Sequence, residues 1–218
     1  MRLKFNEQLR ELNSEMIIMS NMIENAIKDA IDALFTQNIE KAKKIMEDDE
    51  NVDNEQKKIE NICFQLLIQQ QPVAKDLRNI TAALKMVTDM ERIGDHAADI
   101  SELTIMMAES PYILKEDNIK EMATETMVML INAVEAYVEH DMEKAREVIK
   151  HDDIVDDLFV KVKTDLIEVM QNNSGYEEQA ADLLMVIKYL ERVGDHATNI
   201  AEWVIFSIDD HMTQERSE

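Results

Sequence analysis

Glu91 and Asp95 stand four residues apart, and so do Asp49 and Asp53, Asp152 and Asp156, and Glu191 and Asp195. On a helix, residues i and i+4 lie on one face a turn apart, so each pair offers two carboxylates to the same neighbour. In a chain with 46 acidic residues a single such pair reads as a solvated face. These four pairs differ because they fall on apolar stripes. Glu91 takes a slot in the series Ile80, Leu84, Val87, Ala98, Ile105; Asp49 falls between Ile45 and Val52; Asp152 falls between Val148 and Val155; Glu191 follows Leu184 and Ile187. Uncompensated charge on a buried stripe costs several kcal/mol. With the Asp49 and Glu91 helices side by side, four carboxylates meet within roughly 6 Å, and each like pair repels by about 3 kcal/mol at an effective dielectric near 20. Arg92 and Arg192 lie about 100° around the helix from the adjacent Glu, so they answer that repulsion poorly. Hard divalent or trivalent cations with oxygen ligands, Mg, Mn or Fe, singly or as multinuclear clusters, suit an all-carboxylate shell better than zinc or copper does.

Each acidic pair on the later helices sits inside a longer repeat. Met90-Glu91-Arg92-Ile93-Gly94-Asp95-His96-Ala97 returns as Leu190-Glu191-Arg192-Val193-Gly194-Asp195-His196-Ala197, one hundred residues on. An upstream echo pairs Ile45 to Asp53 with Val148 to Asp156. Two echoes in one order at nearly one offset indicate duplication. His96 and His196 are turned about 100° from the preceding Asp, which aims them at a rim or a neighbouring helix more readily than at the metal. Gly94 and Gly194, two of only 3 glycines, interrupt helices at equivalent points. Each costs roughly 1 kcal/mol relative to Ala. The expected compensation is close approach of another helix backbone or of a bridging water or hydroxide on a metal.

The elements that must hold these residues are helices. Apolar residues recur at three and four, as in Leu9, Leu12, Met16, Met19, Ile23, and 3 Gly with 2 Pro are too few to turn a sheet of 218 residues. Breaks at Thr36-Gln37-Asn38, at Gln71-Pro72 with Pro72 as a first helical residue, at Ser110-Pro111, at His140-Asp141 and at Asn172-Asn173-Ser174-Gly175 divide the chain into six helices. The expected spans are 3–35, 38–71, 73–108, 116–139, 141–171 and 177–209. The fold class is all-α, two tandem three-helix bundles related by internal duplication, with repeats over 1–109 and 112–218.

Composition narrows the function. A net charge of -23 repels nucleic-acid phosphates and anionic lipid, leaving metal cations and basic protein patches as partners. The hydrophobic fraction of 45%, with 16 Met, fills an aliphatic core. The single cysteine, Cys63, lies in an apolar stretch, so neither a disulfide nor a thiolate metal site is available. The opening Met1-Arg2-Leu3-Lys4 runs straight into amphipathic sequence, which points to a cytoplasmic protein without membrane insertion.

The duplicated Glu-Arg-(Ile/Val)-Gly-Asp-His-Ala, its upstream acidic partners and the entry Gln71-Pro72-Val73-Ala74-Lys75-Asp76-Leu77-Arg78 resemble the PhoU family over essentially the whole chain. The resemblance implies two bundles with a metal cluster on each, a homodimer, and a negative regulator of phosphate uptake and of the phosphate-starvation response. Its implied partners are the ATPase subunit of the phosphate ABC transporter and a sensor histidine kinase. Asp99, one turn beyond Asp95, joins the expected ligands, whereas the second half has Asn199 there, which predicts a weaker second cluster. A ferritin-like di-metal oxidase would also grow from inward carboxylates, but it pairs Glu with His at i+3, where this chain has Gly94 and Gly194. No nucleophile elbow, phosphate-cradling glycine loop or HExxH is present, so the expectation is a protein that is not an enzyme. The remaining alternative is a structural helical adaptor whose acids bind nothing.

Overall fold

A computed structural model describes residues 2–70, 72–108, 117–172 and 175–209. Six helices span Arg2–Thr36 (α1), Ile39–Gln70 (α2), Ala74–Met107 (α3), Asp117–Glu139 (α4), Met142–Asn172 (α5) and Glu177–Ile208 (α6), with no strand among the described residues. The expected Ser110-Pro111 junction and Asn173-Ser174 lie outside those residues. Pro72 does not open α3 as the sequence suggested: Val73 caps it with extended backbone (φ -76, ψ 166), and the Val73 carbonyl accepts the Leu77 N–H at 2.9 Å. The helix therefore begins two residues after the proline.

Two turns show why the chain reverses where it does. Gln37 and His140 take positive φ (52 and 54) at equivalent points in the two halves. After each, a polar residue caps the next helix, Asn38 Oδ1 accepting the Lys41 N–H and Asp141 Oδ1 accepting the Glu143 and Lys144 N–H groups, all at 3.0 Å. These are side-chain caps of the kind that satisfy orphan amides at a helix start.

Helices α1, α2 and α3 pack as one bundle and α4, α5 and α6 as the other; α3 lies against α6 and α1 against α4 to join them, leaving α2 and α5 on the flanks. Burial follows the sequence stripes: Leu12, Met16, Met19, Ile23 and Ile27 on α1 are all at 0% exposure, and Ile80, Met86, Val87 and Met90 on α3 match them. Across the seam between bundles the fully buried Tyr137 donates its hydroxyl to the Asn79 carbonyl at 3.2 Å, and burial pushes its pKa upward. Cys63 is buried in the first core, its thiol pushed up to about 12 chiefly by that burial, so it behaves as a small apolar residue. No helix among the described residues is long and apolar enough to cross a membrane.

Candidate metal centre

The acidic pairs lie along the edge of the buried stripes. Met90, Ile93, Gly94 and Ala97 form the buried face of α3, and Glu91 and Asp95 stand at its border, 20% and 33% exposed. Their facing partners come from α2, where Val52 is buried and Asp49 and Asp53 flank it half-buried. One carboxylate oxygen from each of Asp53, Glu91 and Asp95 lies within 4.8 Å of the others. Asp49 approaches the same charges: burial first, then Asp95, Asp53 and Asp99, push its carboxyl up to about 6. Glu91 and Asp95 are raised as well, burial again leading, with Arg92 pulling both the other way. Arg92 Nη1 donates to Asp95 Oδ2 at 3.3 Å, and its Nε stands 3.6 Å from Glu91 Oε2. That guanidinium is 58% exposed and leaves the three oxygens converged.

The donor set itself tests whether a metal fits. It is all oxygen, half-buried and anionic, with no imidazole or thiolate among the three, which suits a hard cation and departs from the Glu-x-x-His pairing of di-iron oxidases. The glycines complete the fit by close packing. A Cβ on Gly94 would meet Val52 Cγ1 at 3.0 Å, and one on Gly194 would meet Asp152 Oδ1 at 3.0 Å and Val155 Cγ1 at 3.4 Å. The close neighbour is thus a side chain of the adjoining helix, where the sequence suggests a helix backbone or a bridging water or hydroxide on a metal.

The second half is built on the same plan but is more open. Burial and then Asp156, Asp195, Asp153 and Glu191 push Asp152 up to about 6, and Asp195 is also raised, burial first. Asp156 and Asp195 are exposed where Asp53 and Asp95 are half-buried. Among the described residues only the first-half trio converges within 4.8 Å. Glu191 instead pairs with Lys188, three residues earlier on α6.

Asp99, expected beside the cluster, has its Oδ2 3.0 Å from His96 Nδ1 while still adding its charge to Asp49 and Asp95. His96 is 4% exposed, stacks on Tyr189 of α6 with centroids 5.2 Å apart, and has Nε2 buried without a hydrogen-bond partner. That arrangement fits a neutral ring with its proton on Nδ1, and burial lowers its pKa against the pull of Asp99. His196 crosses in the opposite direction, its Nδ1 2.8 Å from Asp89 Oδ1 on α3, an oxygen that also accepts from Asn199 Nδ2 at 3.4 Å. The two rings meet at 5.9 Å. Asp89 and Tyr189 occupy the same position in the two repeats, and no spacing along one helix reveals their cross-bundle partners.

The sequence family described as PhoU domain matches residues 16–104 and 119–204. A phosphate-specific transport system accessory protein PhoU homolog of Clostridium acetobutylicum is 40% identical over 207 residues, covering 94% of both chains. A homolog of Thermotoga maritima is 33% identical, over 93% of this chain and 88% of its own. Among solved structures, that of PhoU from Pseudomonas aeruginosa superposes with a TM-score of 0.87 at 28% identity, covering 94% of this chain and 98% of that one. The phosphate transport system regulatory protein PhoU from Streptococcus pneumoniae gives 0.85 at 25%, covering 93% and 96%.

Proposed function

The chain belongs to the PhoU family, and from that premise we propose that it is a negative regulator of phosphate uptake and of the phosphate-starvation response, a helical adaptor that holds metal ions and acts by contact. The family ties it to phosphate transport. In this reading it works in the cytoplasm as a homodimer, bridging the ATPase subunit of the phosphate ABC transporter and a sensor histidine kinase.

The observation that carries the reading is the convergence of Asp53, Glu91 and Asp95 where α2 packs against α3. Like charges gathered there on a chain of net charge -23 need a counter-cation, and one exposed arginine is a weak one. Asp53, Glu91 and Asp95, with Asp49 beside them, would hold a hard cation; Asp152, Asp156, Glu191 and Asp195 would hold a second. A bound Mg, Mn or Fe supplies positive charge that neutralises the cluster and ties the two helices together. Asp53 from α2 and Glu91 and Asp95 from α3 fix the spacing of those helices, and thereby the face shown to a partner. Turnover of a substrate has no place in this scheme.

The test is a reporter for a starvation-induced gene in phosphate-replete cells. Deleting the gene should leave the reporter on, the wild-type chain should silence it, and the Glu91→Ala with Glu191→Ala variant should silence it only in part. A deletion strain that keeps the reporter off refutes the regulatory role.

A further inference from the structure

The two halves carry equivalent acids, yet among the described residues only one set converges, and the second half carries two residues that the first lacks. At the position matching Thr88, whose hydroxyl donates to the Leu84 carbonyl at 3.3 Å, the second repeat has Lys188. Its ammonium group pairs with Glu191 and pulls the Asp195 carboxyl downward through charge. It also lies 5.7 Å from the centroid of the Phe159 ring on α5, the helix that carries Asp152 and Asp156. The first repeat has Gln56 at the Phe159 position, so neither the tethered cation nor its aromatic platform exists there. Arg92 is the nearest counterpart in the first half, but it leaves Asp53, Glu91 and Asp95 together.

We propose that Lys188 is a built-in competitor for the second carboxylate cluster: held between Phe159 and Glu191, its ammonium group takes the Glu191 carboxylate that a metal ion would need. The inference rests on the metal-holding reading above and assigns the two centres different jobs. The first binds tightly and sets the structure. The second fills only when a cation displaces Lys188, so its occupancy follows the free metal concentration. Displacement releases the ammonium group from Glu191 and leaves it on the surface, where it can meet an anionic group of a partner.

The experiment is isothermal titration of the full chain, stripped with chelator, with Mn2+ at pH 7.5. Wild type should show a tight and a weak class, with Glu91→Ala abolishing the tight class and Glu191→Ala the weak one. Lys188→Met keeps the aliphatic stem and removes the charge; it should tighten the weak class about five- to tenfold, the size expected for losing a partly exposed ion pair and its repulsion of a divalent ion. Lys188→Arg should leave that class weak, and Thr88→Lys should loosen the tight class by a similar factor. A Lys188→Met isotherm identical to wild type overturns this inference while leaving the metal centres standing. No Mn2+ binding by wild type, or a tight class indifferent to Glu91→Ala, overturns it together with the reading on which it rests.

Discussion

Replacing Glu91 by Gln should stabilise the metal-free protein and destabilise the metal-loaded one. The substitution removes one charge from the converged trio and keeps the side chain's size. At the 4.8 Å limit of the trio, two unit charges repel by about 0.9 kcal/mol in water and about 3.5 kcal/mol at an effective dielectric of 20. Neutralising Glu91 removes its repulsion with Asp53 and Asp95 and gives up one attraction, to Arg92 Nε at 3.6 Å. The net gain is close to one pair, about 1–3 kcal/mol for side chains that are partly solvated. For a chain of this size that raises the melting temperature by roughly 2–4 °C per kcal/mol. With Mn2+ present the sign inverts, because the same change removes a ligand and the stabilisation a bound ion provides, about 2.7 kcal/mol at a hundredfold excess over Kd. Thermal melts followed by circular dichroism, in chelator and in Mn2+, read both signs on one pair of proteins. If Glu91→Gln lowers the melting temperature in chelator, the carboxylate is a structural partner of Arg92, and the argument from crowded charge is wrong.

Alanine at the two glycines should separate packing from ligand placement. Each gains about 1 kcal/mol of helix propensity, but at Gly94 the new methyl meets the stiff Val52 at 3.0 Å, whereas at Gly194 it meets the mobile end of Asp152. Gly194→Ala should therefore raise the melting temperature in chelator and weaken the second Mn2+ class, while Gly94→Ala yields no gain; equal shifts would contradict the packing account. Acidity gives another test, since Asp49 and Asp152 ionise near 6 in the fold against 3.8 for the free side chain. Their raised pKa contributes stability to the metal-free protein that is complete below about pH 4 and lost as pH rises through about 6. Urea midpoints in chelator should fall across that window, and Asp49→Asn with Asp152→Asn should flatten the fall; an unchanged slope would show that other groups produce it.

Much of this architecture was legible in the chain. Heptad-like spacing placed all six helices to within a residue or two, because stripes such as Leu12, Met16, Met19, Ile23 bury where they point. Acids interrupting those stripes marked the clusters, although they stand at the stripe's edge. Harder to see was which acids meet. Asp53, Glu91 and Asp95 converge through the rotation of α2 against α3, which no single-helix pattern encodes. The i+4 spacing to Asp95 puts Asp99 beside the cluster, where its charge reaches Asp49 and Asp95, but spacing does not show that its oxygen also lies against His96 at i−3. Lys188 was visible three residues before Glu191, but its weight depends on Phe159 of another helix. Asp89 and Tyr189 gain meaning only from the contact of α3 with α6, which pairs them with His196 and His96 far away in sequence.

Whether this fold holds hard metal ions on its carboxylates can be read from elemental analysis of the chain purified without chelator. Mg, Mn or Fe should stay bound through gel filtration, and the most tightly held ion should be lost when Asp53, Glu91 and Asp95 are replaced together by Asn, Gln and Asn while the helical signal remains. Metal content no higher than in the buffer, or content that the triple substitution leaves unchanged, would contradict it.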